Sequence, residues 1–404
     1  MKRLAVLFAL GFAPFAVAAQ DLQWHGYLDV RAVVPAREDS WTDGGFGKSR
    51  YGGGSSIEAR FGGAALQGVW QIAPSWLAFG EVQLQRDTHP RVGLLDTWLR
   101  YRPVSTTPWR WSAKFGAFFP PISQENDGIG WTSTWTLTPS AIDSWVGEEL
   151  RTIGAEAEVE HRGPSGNLSA RAALFTSNDP AGELLAARGW SLGDVTSTLR
   201  SRVREPDVYA QIIGASVPTS YRPFDEIDHR LGWYADATWK APFGQLSLLR
   251  YDNRTDPGKY EEFGDREVYG WHTRFWSLGG RTRFGDVVVM AQAMDGTTVI
   301  EPAPNLYFTT GMHAGYLLAG WDRGAWRPAV RIDLFDLHQA PYAHSPLSEH
   351  GNALTVALNW RPRDWLRVTG EWLRIDSTRG ERAFEGLDPR QVDNQVQVSA
   401  RLLF

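Results

Sequence analysis

The chain has 404 residues, 41 Lys+Arg against 46 Asp+Glu for a formal charge of −5, 20 tryptophans, 41 glycines and no cysteine. The acidic balance excludes the strongly basic face that a nucleic-acid partner needs. The absence of cysteine excludes disulfide frameworks, thiolate metal sites and cysteine nucleophiles.

Lys2 and Arg3, the apolar stretch Leu4 to Val17 and the small residues Ala16, Ala18 and Ala19 have the layout of an export signal over 1–19. No later segment approaches the ~18 apolar residues of a spanning helix, so any crossing of a membrane must be by strands. From Trp24 onward the pattern has a period of two. Trp24, Gly26, Leu28 and Val30 alternate with His25, Asp29 and Arg31. Ile153, Ala155, Ala157 and Val159 alternate with Glu156, Glu158 and Glu160. Val330, Ile332 and Leu334 alternate with Arg331 and Asp333, and the chain ends on Val396, Val398, Ala400, Leu402 and Phe404 separated by polar residues. Strict alternation predicts strands with one apolar and one polar face.

The connections alternate between short and long. Short turns are predicted at 73–75, 104–108, 163–166, 242–244, 284–286, 322–325 and 362–364. Longer loops are predicted at 35–54, 88–92, 120–149, 177–229, 254–266, 296–306, 339–350 and 378–391. These separate 16 strands, with fourteen or eighteen as the alternatives if 178–229 or 266–285 is misread; the pair Gly279-Gly280 reads as a bulge or a missed turn. An even count, short turns on one side and long loops on the other describe an all-β chain: a transmembrane antiparallel up-and-down β-barrel over 20–404. Trp76, Trp109, Phe243, Trp326, Trp365 and Phe404 stand beside the short turns, as an aromatic girdle would.

A barrel of about sixteen strands is wide enough for an aqueous channel. The pleat directs Arg31, Arg60, Lys114, Arg274, Arg331 and Asp333 inward, where charge is solvated; facing lipid, each would cost ~2–4 kcal/mol at mid-height. Loop 120–149 is the candidate for selectivity. It carries Glu125, Asp127, Asp143, Glu148 and Glu149 beside Trp131 and Trp135, and a loop with such tryptophans is expected to pack.

The whole chain resembles a bacterial outer-membrane porin. The run Ser56-Ile57-Glu58-Ala59-Arg60-Phe61 through Ala73-Pro74-Ser75 to Trp76, followed by Phe118-Phe119-Pro120-Pro121, is similar to the phosphate/polyphosphate-selective porin group. The resemblance implies passive diffusion of small hydrophilic solutes or ions. It also implies a third loop, 120–149, folded into the lumen as the constriction, whose acids face Arg31, Arg60 and Lys114. A terminal strand read by the outer-membrane assembly machinery through Phe404, contact with outer-membrane lipid and a homotrimer are implied as well. The group uses a ladder of lysines, whereas this chain has only Lys2, Lys48, Lys114, Lys240 and Lys259, so a wall of both signs suits a mixed small-solute pore. No cofactor, metal site or catalytic residue is expected.

Two other readings stand beside this one. An outer-membrane barrel enzyme of lipase or protease type would need a histidine constellation at the rim, and His338, His344 and His350 or Asp225, Asp228 and His229 are the places to look. A barrel adhesin or binding protein would use the long loop 177–229.

Overall fold

The computed structural model describes residues 22–208, 219–263, 266–340 and 347–404. The expected export signal and His344 lie outside the described residues. Sixteen antiparallel strands close into one barrel. In chain order they are β1 Leu22–Val34, β2 Glu58–Ala73, β3 Trp76–Leu84, β4 Val92–Tyr101, β5 Trp109–Phe118, β6 Thr152–Gly163, β7 Gly166–Thr176 and β8 Gly232–Ala241. They continue as β9 Gly244–Asp252, β10 His272–Phe284, β11 Val287–Ala303, β12 Leu306–Trp321, β13 Trp326–Ala340, β14 Glu349–Arg363, β15 Leu366–Arg379 and β16 Arg390–Leu403. β1 closes on β16 from Tyr27 opposite Leu403 to Val34 opposite Val396. Gly26 and Phe404 extend that seam by exchanging backbone hydrogen bonds of 2.8 and 3.1 Å.

The two-residue alternation is what makes the ring stable in lipid. On β13, Val330, Ile332 and Leu334 are exposed while Arg331, Asp333 and Phe335 are buried. On β16, Val396, Val398 and Leu402 face out while Gln395, Gln397, Ser399 and Arg401 are buried. Apolar side chains outside and polar ones inside invert the order of a water-soluble protein, and closure pairs the backbone groups that hydrocarbon cannot solvate. All seven short turns fall where the spacing puts them, and the six aromatic residues beside them are exposed.

Three expectations need correction. The segment 296–306 is no loop: β11 and β12 run on to a tight turn at Pro304-Asn305, Asn305 taking a left-handed φ of 65°. Inward Thr298 is hydrogen-bonded to Thr273 at 2.7 Å, so the ladder outlasts the Gly and Thr residues that suggest its end. The loop expected at 254–266 runs from 253 to 271 and holds its own two-stranded ribbon, Tyr260–Phe263 with Arg266–Tyr269. Gly279-Gly280 is neither bulge nor turn, because both neighbouring ladders pass it without a register shift.

Two outer connections fold back into the barrel. The first, 119–151, carries helix α1, Ala141–Glu149, capped by the Ser140 side chain accepting from the Asp143 N–H, and every residue of α1 is buried. The second, 177–208, carries α2, Glu183–Arg188. Ile142, Trp145, Val146, Trp190 and Leu192 from these connections pack against Tyr251, Phe275, Met290, Met312, Leu318 and Leu373 of the wall. The lumen beside β9–β15 is therefore a dry core, where a sixteen-stranded ring alone implies water. Burying a side chain of this size contributes ~1.5–3 kcal/mol each.

Candidate channel constriction

The connection 119–151 crosses the lumen and is fastened to the far wall by polar groups whose only other partner would be water. Arg331 of β13 is the main anchor. It pairs with Asp333 at 2.8 Å and Glu125 at 3.2 Å, and donates to the carbonyls of Thr138 at 2.7 Å and Pro139 at 2.8 Å. Glu125 also accepts from the Ser140 N–H at 2.6 Å, and Asp333 from the Ala141 N–H at 3.3 Å. Glu371 of β15 accepts from the Leu137 N–H at 2.5 Å and the Thr138 hydroxyl at 2.6 Å. Asn359 of β14 donates to the Trp135 carbonyl at 2.6 Å.

Two wall glycines make room for the connection. A Cβ on Gly320 would lie 2.2 Å from the Trp135 ring, and one on Gly279 would lie 2.7 Å from the Gln124 side chain. On the near side the Gly130 N–H donates to Glu81 of β3 at 2.7 Å. The crossing thus touches β1–β3 and β9–β16, and open lumen remains beside it along β3–β8.

Of the expected wall charges, Arg331 and Asp333 on β13 hold this crossing. Arg31 is buried above it, paired with Asp29 at 2.9 Å and with Asp194 of the second connection at 2.5 Å. Arg50 binds the other oxygen of Asp194 at 3.0 Å, and Arg401 binds Asp29 at 2.8 Å. Arg60 shares Arg31's register position on β2 and pairs with Glu58. Lys114 of β5 lies on the open sector, 2.9 Å from Glu156 and 3.8 Å from the Phe118 ring centre.

Arg274 is a correction. With β10 unbroken, Thr273, Phe275 and Ser277 face inward and Arg274 faces out, its Nε 3.5 Å from Thr297 on β11. The pleat is masked in the sequence because β10 carries aromatic residues on both faces, Phe275 inside and Trp276 outside.

The expected loop acids divide by role. Asp127 faces the open lumen and pairs across it with Arg281 of β10 at 3.2 Å. Glu125 and Asp143 are buried fasteners, Asp143 accepting from the Ser123 hydroxyl at 2.7 Å. Glu148 binds Arg188 and the Ser191 hydroxyl, and so joins the two connections. Glu149 accepts from the Gly182 and Leu184 N–H groups and from Tyr221.

Open lumen beside the crossing includes two adjoining cavities of 580 and 290 Å³, sharing Phe119, Pro121, Asn126, Trp131 and Arg171 as lining. Arg100, Lys114 and Arg171 face Asp127, Glu156 and Glu158 there. The entry of 177–208 into the barrel is not expected from loop length alone. Its signal is the run Leu184–Leu192 with Trp190, too apolar for a solvated loop.

Among the described residues the histidine constellations are not assembled. His338 and His350 are exposed on the outward face of β13 and β14, and His229 is exposed on the outer rim. Asp225 pairs with Arg222 and Asp228 with Arg230. Asp179, Glu226 and Asp228 bring carboxylate oxygens together at the rim, but each already accepts backbone N–H groups.

The junction of the two connections titrates. Burial raises Glu149 to about 7 and Glu183 to about 8. Burial also raises Glu205 well above its ordinary value, helped by repulsion from Glu183 and Glu149. A carboxyl raised in the folded state stabilises fully below the unfolded value of ~4.3, and that contribution is lost as pH rises through the folded values. Amide exchange of 178–188, corrected for intrinsic rates, is expected to be slow near pH ~5 and markedly faster near pH ~8.5. Glu205→Gln should flatten that rise, and a pH-independent protection pattern would contradict it.

No protein-family model matches the sequence, and no curated protein matches it. Among solved structures the chain is similar to the outer membrane channel DcaP of Acinetobacter baumannii, with a TM-score of 0.56 at 11% identity over 95% of this chain and 97% of that one. It is also similar to OmpF of Salmonella typhi in complex with daunomycin, with a TM-score of 0.52 at 10% identity over 95% and 97%. For a loop-deleted OmpT, an outer membrane protein of Vibrio cholerae, the TM-score is 0.51 at 10% identity over 95% and 99%. These likenesses establish the fold: a sixteen-stranded barrel of the porin type.

Proposed function

We propose that this chain is an outer-membrane porin, a non-enzymatic channel for passive diffusion of small hydrophilic solutes or ions. The observation that carries the reading is the fastening of 119–151 across the lumen through Arg331, Glu125 and Glu371, which leaves a water-accessible sector along β3–β8 lined by both charge signs. In a barrel whose outside is apolar and whose inside is polar, such a crossing narrows a pore without closing the ring. No chemistry is required; flux follows the gradient.

The resemblance stated above supports residues 1–19 as an export signal, insertion through a terminal strand ending at Phe404, and a homotrimer. It supports less well the phosphate-selective subgroup: Lys114 and Lys240 are the lysines that line the two cavities, short of a lysine ladder, and Lys114 and Arg171 are paired with acids. The test is planar-bilayer recording of the purified protein. Discrete open-channel steps are expected, with weak preference between cation and anion. An electrically silent protein that inserts normally would contradict the reading.

A further inference from the structure

The larger lumenal cavity has a feature that ion passage does not require: two stacked aromatic pairs. Phe79 and Trp98, opposite each other on β3 and β4, stack at 5.0 Å between ring centres and 10° between planes. Phe119 and Trp131 of the crossing stack at 3.8 Å and 14°. All four are half-buried, and all four line the same cavity. Trp131 holds a left-handed φ of 56°, which a bulky residue adopts only at a cost. Phe119 is also covered by the Arg151 guanidinium at 3.4 Å, whereas Phe79 and Trp98 stand on the wall beside open lumen; an aromatic surface left to water forgoes burial and suits a solute with an apolar face.

The charges between the rings narrow the class. Lys114 is paired with Glu156 at 2.9 Å, and Arg171 with Glu158 at 3.3 Å. An anion or cation binding at either of these two would have to break a pair and leave the other member uncompensated, while Arg100, 5.7 Å from the Trp98 ring centre, stands ready to donate to a solute oxygen. A hydroxyl both donates and accepts, so it can bridge carboxylate and cation without separating them. A volume of 580 Å³ lies within the ~300–1,000 Å³ of small-molecule sites.

We propose that this cavity is a binding subsite for small neutral sugars, the apolar C–H face of the ring lying on Trp98 and its hydroxyls reaching the Lys114–Glu156 and Arg171–Glu158 pairs. The subsite deepens the channel reading by naming a solute class, and rests on that reading only for the sugar's route. Saturation-transfer NMR on the detergent-solubilised protein tests it without requiring conduction, with maltose as probe and benzoate and methyl phosphate as controls. Transfer to the ring C–H protons of maltose is expected. Trp98→Ala should weaken maltose about tenfold, while Trp98→Phe should retain most of it. In bilayers maltose should block the ion current with the same order of variants. Saturation of benzoate or methyl phosphate but not maltose, or equal maltose signals from the parent and Trp98→Ala, would overturn the assignment. Absence of conductance with maltose transfer intact would overturn the channel and leave the subsite standing.

Discussion

Arg331→Ala is expected to unfasten the crossing from β13 and raise single-channel conductance, while the barrel itself still forms. The guanidinium is fully buried and satisfies Glu125, Asp333 and two backbone carbonyls at once. Removing it leaves two buried carboxylates uncompensated, a loss of about 3–5 kcal/mol for breaking a buried pair. The barrel ladders do not pass through this side chain, so the loss falls on the inserted connection and its dry core. The variant should therefore show larger, noisier current steps and faster proteolysis within 119–151, with strand content unchanged by circular dichroism. Arg331→Lys keeps the charge but cannot reach four acceptors in a planar fork, so an intermediate phenotype is expected. A variant indistinguishable from the parent in conductance and proteolysis would show that the crossing is held by something else.

The second large effect concerns the lipid face. Val398 is half exposed on the outside of β16, about midway between Phe404 and the outer loop. Val398→Arg should cost ~2–4 kcal/mol by placing a charge against hydrocarbon, and should fold into vesicles slowly or in low yield. The lumenal comparison is best made at Gln67 of β2, which lines the larger cavity. Gln67→Arg should assemble normally and shift ion preference toward anions. Gln397, although inward by its pleat, is unsuitable: it accepts from Arg31 at 3.1 Å and donates to Thr138 and Glu371 at 3.2 Å. Equal assembly yields for Val398→Arg and Gln67→Arg would mean that the outside of β16 does not meet lipid.

The sequence displays the ring and hides the filling, for one physical reason. On β1, β6, β13 and β16 the inner face is charged, so alternation is visible and even the seven turns can be placed. On β10–β12 the inner face meets the inserted connections and mixes small polar residues with large apolar ones, Phe275, Met290, Met294 and Met312 facing in. Apolar residues then occupy both faces, the period of two fades, and Arg274 and Gly279-Gly280 are misread. The acids of 120–149 are legible as a group. Their division into a lumen-facing Asp127 and buried fasteners such as Glu125 is not, because it depends on pairing with Arg331 and Arg281, some two hundred and one hundred and fifty residues away. The partners that matter most, Glu371, Arg401 and Asp194, look like any other inward or loop charge until the chain is folded.

The position of the crossing can be measured in one step, because the chain has no cysteine. A Cβ on Gly279 lies 2.7 Å from Gln124 Cγ, so the Cβ atoms of a Gln124→Cys/Gly279→Cys pair are at most one C–C bond farther apart, inside the upper limit of ~4.5 Å for a disulfide. Mild oxidation of the membrane-inserted double variant is expected to join the two positions in most molecules while ion current persists, since the bond fixes the connection where it already lies. Two thiols that stay free under oxidation, each reacting separately with a water-soluble reagent, would place 119–151 outside the lumen and contradict the account.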